Sequence, residues 1–437
     1  MLTAETQGVM ALRQPMTLQE AGLTHDMVTQ LVLKTLHFAG ELMGTDLARR
    51  LGLPFVAIEP VLSGIKQQQQ CEISGGALGS ASYRYRITDA GRTRAMLFLE
   101  QSHYVGHAPV PLEQYSRYME SFKASLRSHV DRPAVKEAFG HLVIGQRVLD
   151  QLGPAINAGH SMFVYGPPGN GKTVISQAIH KLLAGDMFIP HALEVEGSII
   201  RFFDPVSHEP VPESDVNDQL DLAAGHDGRW VRCRRPMVMV GGELSLDQLE
   251  LSYSPSLGFY RAPVQAVANG GVLVIDDFGR QACSPRDLLN RWIVPLESRV
   301  DFLTLQTGQK FNFPFMTMIV FATNIRPSEL VDEAFLRRIH YKIFAESPTK
   351  AEFMQIFEGC CRQQGLEYKP EVVEQLLTSY FQPRQIPLRG CHPRDLLSQA
   401  VYLAEYLGQP PALTSELLEA ACAAYFVDDR ETPASYA

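Results

Sequence analysis

Eight consecutive residues near position 170 carry a pattern typical of phosphate binding. They are Gly166-Pro167-Pro168-Gly169-Asn170-Gly171-Lys172-Thr173, with the apolar run Met162-Phe163-Val164-Tyr165 before them and a helical pattern after them. The glycines allow a loop to turn its backbone N–H groups inward around phosphate oxygens, and the positive end of the following helix adds to the attraction. In this pattern Lys172 neutralises the β and γ phosphates, and Thr173 coordinates Mg²⁺. The segment therefore predicts a site for ATP and magnesium.

A pair of acidic side chains follows another apolar run further along the chain. Gly271-Val272-Leu273-Val274-Ile275 leads directly into Asp276 and Asp277. A buried strand that ends in this way places its first carboxylate beside the magnesium ion, and the next carboxylate polarises the attacking water. We therefore expect Asp276 to be a metal ligand and Asp277 to be catalytic.

These two motifs resemble the Walker A and Walker B segments of AAA+ ATPases, and the resemblance extends over about residues 139–426. The family commonly has glutamate where this chain has Asp277, whose side chain is one methylene shorter. Slow turnover is therefore one expectation that the sequence leaves open. Ala322-Thr323-Asn324 ends a further apolar run and is similar to the sensor 1 segment of the family. The resemblance implies that Asn324 holds the attacking water against the γ-phosphate.

Three arginines are placed like those that AAA+ proteins use around the γ-phosphate. Arg337 and Arg338 end the segment Asp332-Glu333-Ala334-Phe335-Leu336-Arg337-Arg338, which is similar to the one that carries the arginine finger. A finger reaches into the neighbouring subunit and stabilises charge on the transferred phosphoryl group. The resemblance favours Arg338 in that role, with Arg337 as the alternative. Arg394 stands in His392-Pro393-Arg394-Asp395-Leu396, similar to the sensor 2 segment, which implies a contact from the lid to the γ-phosphate.

A β-hairpin pattern between the acidic pair and Asn324 narrows the resemblance. Residues 299–313 alternate apolar and polar side chains around Thr307-Gly308, directly before the sensor 1 strand. The placement is similar to the hairpin inserted before sensor 1 in the AAA+ branch that contains magnesium chelatase, minichromosome maintenance helicases and bacterial enhancer-binding activators. The activators carry a GAFTGA loop for gripping sigma factor, and this sequence has none. A sigma-54 role is therefore not expected.

The elements that must position these residues divide the chain into five segments. We expect a winged-helix domain at residues 1–105, a helical linker at 106–138, an α/β ATPase core at 139–347, a helical lid at 348–427 and a polar tail at 428–437. Apolar strands alternate with helical patterns throughout the core segment, which is typical of a buried parallel sheet. The predicted fold class is therefore α/β: a P-loop NTPase core of the AAA+ type with a C-terminal helical lid, preceded by a winged helix.

The N-terminal segment has the composition of a protein-binding domain more than that of a DNA reader. Residues 1–110 contain nine Lys or Arg and nine Asp or Glu, whereas nucleic-acid-binding domains are typically basic. The expected recognition helix, residues 55–66, offers few side chains suited to base edges. The expected wing, residues 74–82, is followed by Arg84, Arg86, Arg92 and Arg94, the one place where phosphate contact is plausible.

A polar, proline-bearing insertion at residues 197–242 is longer than the AAA+ plan needs. It contains the basic run Arg229-Trp230-Val231-Arg232-Cys233-Arg234-Arg235, which indicates either a strand with one charged face or a surface facing the pore or a neighbouring subunit. Tyr253, Phe259 and Tyr260 are candidates for pore-facing aromatic side chains, although aromatics beside a sheet are more often buried.

Composition limits the remaining function classes. The chain of 437 residues has a net charge of −9, which argues against a protein that grips nucleic acid through bulk positive charge. It has no apolar run long enough to span a bilayer and no secretion signal, so we expect no membrane insertion and a cytoplasmic location.

The sequence therefore predicts an ATP hydrolase that works in a homo-oligomeric ring, expected to be a hexamer, with ATP and Mg²⁺ as cofactors. An unidentified protein client is favoured as the object of remodelling. The alternatives are a DNA-binding motor or regulator, with DNA a possible but unfavoured partner, and an ATP-gated assembly switch with slow hydrolysis.

Overall fold

The computed structural model describes residues 12–76, 79–125, 130–140, 142–183, 185–212 and 226–426. The tail expected at 428–437 and residues 77 and 78 of the expected wing lie outside this described part. The chain divides into two compact units. The first contains Met1–Ser128, Leu183–Val274 and Gln281–Ile319, and the second contains His129–Leu182, Ile275–Arg280 and Val320–Ala437. No helix within the described ranges combines the length and apolarity needed to cross a membrane.

The N-terminal part of the first unit consists of five helices and a small sheet. The helices are α1 (Leu18–Ala21), α2 (His25–Ala39), α3 (Gly44–Leu51), α4 (Phe55–Gln67) and α5 (Asp89–Gln101), and the strands are β1 (Glu41–Met43), β2 (Cys71–Gly75) and β3 (Arg84–Ile87). The strands form an antiparallel sheet in the order β1-β3-β2. These elements follow the order that the sequence predicts for a winged helix.

Local sequence signals explain where these helices begin and end. The Thr24 and Thr88 side chains accept hydrogen bonds from the first turns of α2 and α5, which satisfies backbone donors that a helix leaves unpaired. Gly22 ends α1 and Gly52 ends α3 in the left-handed conformation, with φ values of +69° and +65°. Pro54 then starts α4. The turn between α3 and α4 is therefore encoded in the residues that form it.

The remainder of the first unit is rich in strands. They are β4 (Val110–Pro111), β6 (Asp186–Pro190), β7 (Ala192–Val195), β8 (Ser198–Arg201), β9 (Trp230–Arg234), β11 (Ser252–Ser254), β12 (Phe259–Arg261), β14 (Val300–Thr304) and β15 (Lys310–Pro314). Five of them form a mixed sheet in the order β11-β12-β8-β7-β4, and β6 pairs with β9. β14 and β15 form the predicted hairpin, with Val300 opposite Pro314 and Thr304 opposite Lys310.

The segment expected to be a helical linker contains α6 (Leu112–Ser125) in the first unit and α7 (Arg132–Ala138) in the second. Tyr115, Tyr118 and Phe122 of α6 are buried in the apolar core of the strand-rich part. The Tyr115 hydroxyl accepts a hydrogen bond from Asn269 at 2.8 Å. The structure therefore packs the aromatic face of α6 into the core of the first unit.

The candidate pore aromatics also pack within the first unit, with Tyr260 in the core of the strand-rich part and Phe259 in that of the N-terminal part. Phe259 and Tyr260 are buried, and the ring of Tyr253 packs on that of Tyr260 with centroids 4.8 Å apart. Their burial follows the usual behaviour of aromatic side chains next to a sheet.

The basic run at residues 229–235 is a strand whose arginines are occupied within the fold. Arg229 is only 1% exposed, and Nη2 lies 2.7 Å from Asp227 Oδ2. Arg232 pairs with Asp186 at 3.1 Å. Arg235 Nε donates a hydrogen bond to the Gly270 carbonyl at 2.6 Å. These contacts favour the interpretation as a strand with one charged face over a basic surface open to a partner.

The helical N-terminal part and the insertion touch through backbone atoms. A Cβ atom placed on Gly52 would lie 2.5 Å from the Gly228 carbonyl oxygen, so this approach requires glycine. The helical N-terminal part also shares an apolar core with the neighbouring strands, in which Leu51 and Leu53 belong to the same cluster as Ala192 and Phe259.

The predicted sheet of the ATPase core is present as five strands. β5 (Met162–Tyr165), β10 (Met237–Val240), β13 (Val272–Ile275), β16 (Met318–Thr323) and β17 (Tyr341–Phe344) lie in the order β10-β13-β16-β5-β17. β16 and β17 both run parallel to β5. All residues of β13 and β16 are buried, as expected for strands covered on both faces.

Helices connect these strands and follow them. They are α8 (Gln146–Ala158), α9 (Lys172–Leu182), α10 (Val264–Val267), α11 (Pro285–Ser298), α12 (Pro327–Leu330), α13 (Glu333–Leu336), α14 (Lys350–Gln363), α15 (Pro370–Leu376), α16 (His392–Tyr406) and α17 (Ser415–Tyr425). The last four form a helical lid with its own apolar core. Phe353, Phe357 and Cys361 of α14 contribute to this core from positions four residues apart, which lie on one helix face. The predicted α/β fold class is confirmed.

Candidate functional site

The glycine-rich loop joins β5 to α9 at the carboxyl end of the parallel strands. Gly169 and Gly171 have φ values of +79° and +72°, which side chains with a Cβ rarely adopt. The Gly166 N–H donates to the Thr323 carbonyl at 3.2 Å, which fixes the start of the loop to the end of β16. The loop therefore has the strand-to-helix context that phosphate binding requires.

Lys172 lies at the start of α9 with its ammonium group inside the loop. Its Nζ donates to the carbonyls of Gly166 and Pro167 at 3.1 and 3.0 Å, and to Asn324 Oδ1 at 2.6 Å. Burial lowers the pKa of Lys172, which the carboxylates of Asp277 and Asp276 oppose. The lysine is thus held by neutral oxygens that a phosphate group is able to replace.

Thr173 and Asp276 meet directly. The Thr173 hydroxyl donates to Asp276 Oδ2 at 2.8 Å, although β13 and the loop are far apart in sequence. Hydroxyl and carboxylate oxygens are ligands that Mg²⁺ prefers, and the ion usually takes only one or two carboxylates besides water and substrate phosphates. The residues present therefore fit a magnesium ion next to the phosphate loop.

Asp277 and Asn324 complete the group. Asn324 Nδ2 donates to Asp277 Oδ1 at 3.0 Å, so Asn324 bridges the lysine and the second carboxylate. Asp277 has φ +47°, and its N–H donates to Asp276 Oδ1 at 3.0 Å. Aspartate and asparagine tolerate this left-handed conformation better than glutamate does. The backbone here gives a physical reason for aspartate at a position where the family commonly has glutamate.

The two candidate finger arginines follow the short helix α13. The Asp332 carboxylate caps this helix by accepting a hydrogen bond from the Phe335 N–H at 2.9 Å. Arg337 directly after the helix is exposed, and Arg338 is half-buried. Both lie beyond the strand that ends in Asn324, in the chain order that the family pattern requires.

The lid places two arginines near the start of α16. Arg394 pairs with its neighbour Asp395, with Nε and Nη2 at 2.9 and 2.8 Å from Oδ1, and its side chain is 68% exposed. Arg389 precedes the helix, and its charge adds to the lowering of the pKa of Lys172, after burial as the main cause. The structure thus places Arg389, a lid arginine outside the sequence motifs, near the phosphate loop.

Comparisons with known proteins identify two segments. Residues 142–200, which include the phosphate loop, match the family model of the magnesium chelatase subunit ChlI. Residues 349–424, the helical lid, match a domain of unknown function, DUF8689. No curated protein sequence matches the chain.

Solved structures with similar features include AAA+ proteins of two bacteria. The Holliday junction branch migration motor RuvB of Thermotoga maritima is 15% identical, with a TM-score of 0.37 over 67% of this chain and 73% of that one. NtrX of Brucella abortus is 15% identical, with a TM-score of 0.40 over 72% of this chain and 64% of that one.

Sheet order, the assembled loop and the ChlI match lead to the same assignment. The strand carrying the phosphate loop lies between β16, which ends in Asn324, and β17. The acidic strand β13 lies on the other side of β16. The loop, the acidic pair and Asn324 all meet at one edge of this sheet. These features assign the core to the P-loop NTPase fold, and residues 142–200 within it are similar to the ChlI family.

Proposed function

We propose that the chain is a magnesium-dependent ATP hydrolase that assembles into a ring of identical subunits and uses ATP to remodel a protein client. The observation that carries the proposal is the hydrogen-bonded group around the phosphate loop. Lys172, Asn324 and Asp277 form a continuous chain of contacts, and Thr173 pairs with Asp276 beside it.

The substrate contacts follow from the current partners of these side chains. Lys172 exchanges the amide oxygen of Asn324 for the β- and γ-phosphate oxygens of ATP, because an ammonium group binds an anionic oxygen more strongly than a neutral one. Thr173 and Asp276 would hold Mg²⁺, which would neutralise charge on the β- and γ-phosphate oxygens.

Hydrolysis depends on Asp277 and Asn324. Once Lys172 binds phosphate, Asn324 is released from the lysine and is able to orient the attacking water, while Asp277 accepts its proton. Asp277 is exposed to solvent, so water has access to the carboxylate. Its short side chain limits its reach, and we expect modest turnover.

Ring assembly rests on the arginines after α13. Arg337 is exposed, which suits a side chain that acts on the nucleotide of a neighbouring subunit. We assign the finger role to Arg338, with Arg337 as the alternative, and expect a hexamer. The β14–β15 hairpin and the ChlI match support a place in the AAA+ branch with a hairpin before sensor 1.

A protein client is favoured because two of the four wing arginines, Arg84 and Arg86, are already paired with carboxylates. Arg84 lies 3.6 Å from Glu41, and Arg86 lies 3.1 Å from Glu41 and 3.6 Å from Glu72. Phosphate binding here would have to compete with these carboxylates. Arg94 lies over the ring of Phe98 at 4.7 Å. The outer surface of the strands is thus close to electrically neutral.

The exposed face of α4 has the same character. Val56 is 47% exposed, and Pro60 and Ser63 are also exposed on this helix. Such side chains offer little hydrogen bonding to base edges, and they suit an apolar protein contact. We therefore assign the N-terminal domain to client binding.

The testing experiment measures ATP binding, ATP turnover and particle mass for the purified chain with Mg²⁺. Turnover is measured alone and with duplex DNA, single-stranded DNA or an unfolded model protein. We expect stimulation by the protein and an increase in mass with ATP. Stimulation by DNA alone would instead assign the winged helix to nucleic acid.

Two variants test the site itself. Lys172→Ala should abolish ATP binding, whereas Lys181→Ala, an exposed lysine on the same helix, should not change it. Asp277→Asn should bind ATP normally and lose turnover by roughly 10²–10⁴-fold, the usual contribution of a catalytic base. Normal turnover in Asp277→Asn would show that another group activates the water.

A further inference from the structure

The loop that enters lid helix α16 is bound to the phosphate loop by its backbone. The Cys391 N–H donates to the Gly169 carbonyl at 2.8 Å, and the Gly390 N–H donates to Asn170 Oδ1 at 3.3 Å. A Cβ atom on Gly169 would lie 2.5 Å from Cys391 Sγ and 3.6 Å from Arg389 Cβ. The base of the Arg389 side chain therefore lies next to Gly169 of the phosphate loop.

Arg389 has an unusual electrostatic environment. Its Nη1 donates to the Ser347 hydroxyl at 2.9 Å. Within the described ranges, no carboxylate pairs with it. A guanidinium that lies beside a phosphate-binding loop and has no carboxylate partner attracts an anion bound in that loop.

Arg394, the arginine that the family motif indicates, is in the opposite situation. Both of its contacts are with the Asp395 carboxylate, which also accepts a hydrogen bond from the Tyr425 hydroxyl at 3.2 Å. Tyr425 belongs to α17, so this group links the start of α16 to the last lid helix. A guanidinium already paired with a carboxylate has less attraction for phosphate.

We propose that Arg389 is the lid side chain that binds the phosphate chain of ATP, and that Arg394 holds the lid helices together through Asp395. This inference rests on the proposed ATP site. Arg389 exchanges the neutral Ser347 hydroxyl for a phosphate oxygen, and the backbone contacts of Gly390 and Cys391 with the loop keep it within reach. ATP binding is thereby coupled to the position of the lid.

The test compares Mg²⁺-ATP affinities of Arg389→Ala, Arg389→Lys and Arg394→Ala by titration with a fluorescent ATP analogue and competition by ATP. Loss of a charge-assisted contact is expected to weaken ATP binding by about 10–100-fold in Arg389→Ala. Arg389→Lys should restore part of that loss because it keeps the charge. Arg394→Ala should bind within about threefold of the unchanged protein, with a lower melting temperature, since it removes a lid contact.

The outcomes separate this inference from the proposed function. If the unchanged chain binds ATP, Lys172→Ala does not, and Arg389→Ala binds within threefold of the unchanged chain, the ATP site stands and the role of Arg389 is refuted. A larger loss in Arg394→Ala than in Arg389→Ala also refutes it and returns the role to Arg394. No ATP binding by the unchanged chain overturns both proposals.

Discussion

Replacing Arg229 by alanine tests whether the basic run is structural. The Arg229 guanidinium is buried and has three kinds of partner. It donates to the Asp227 carboxylate through Nε and Nη2, to the Ala21 carbonyl through Nη1 at 2.8 Å, and to Gln114 Oε1 through Nη2 at 3.3 Å. Arg229→Ala leaves a buried carboxylate without its cation and a carbonyl without its donor.

The expected cost follows from these contacts. Removing one partner of a buried ion pair typically lowers the free energy of unfolding by about 3–5 kcal/mol. The lost carbonyl contact overlaps with this figure, so we take about 4 kcal/mol for Arg229→Ala. For a unit of this size, each kcal/mol lowers the melting temperature by about 2–4 °C, which predicts a decrease of roughly 8–16 °C.

The assay is denaturation followed by tryptophan fluorescence, since the two tryptophans, Trp230 and Trp292, are both buried in the first unit. Arg234→Ala is the matched control from the same basic run. Arg234 is exposed and 3.9 Å from Glu209, a surface pair for which at most about 0.5–1 kcal/mol is expected. If the two variants unfold with the same midpoint, the structural role of Arg229 is refuted.

Three further outcomes are expected. Arg338→Ala should bind ATP normally yet lose roughly 10³-fold in turnover by the assembled protein; mixing it with Asp277→Asn chains should restore activity if the finger acts between subunits, and full activity in both Arg338→Ala and Arg337→Ala would place the finger elsewhere. Asp277→Glu should lower stability by about 1 kcal/mol in calorimetry because of its left-handed backbone, without faster turnover. Burial lowers the pKa of Lys34 from its ordinary 10.5 to about 8. Between these pH values the unfolded chain therefore binds more protons than the folded chain, so the free energy of unfolding should rise from pH 8 to pH 10.5. This rise should be smaller in Lys34→Met than in the unchanged protein.

Local patterns carried most of the information about the phosphate loop. The residues from Gly166 to Thr173 are adjacent in sequence, and the strand and helix on either side are encoded by neighbouring residues. The α/β fold class was predictable for the same reason, because uninterrupted apolar runs such as β13 and β16 have few other places to lie. The fold class is confirmed, and the role of the loop residues in binding ATP stays a prediction.

Long-range partners were not predictable from a single sequence. The partners of the basic run could not be read from the sequence because Arg229 contacts residues as distant as Ala21. The wing arginines likewise find Glu41 and Glu72 on other strands. Nothing in the sequence around Arg389 distinguishes it from a surface arginine. Only the backbone contact of its loop with Gly169 reveals its position.

The close approach of Gly52 and Gly228 has a practical consequence for anyone who divides this chain. A truncation beginning at the ATPase core would remove α1 to α5 and uncover Ala192 and Phe259, which now share a core with them. Such a fragment would expose an apolar surface and tend to aggregate. Conversely, a force applied by a client to the N-terminal helices would be transmitted directly to the insertion through this backbone contact.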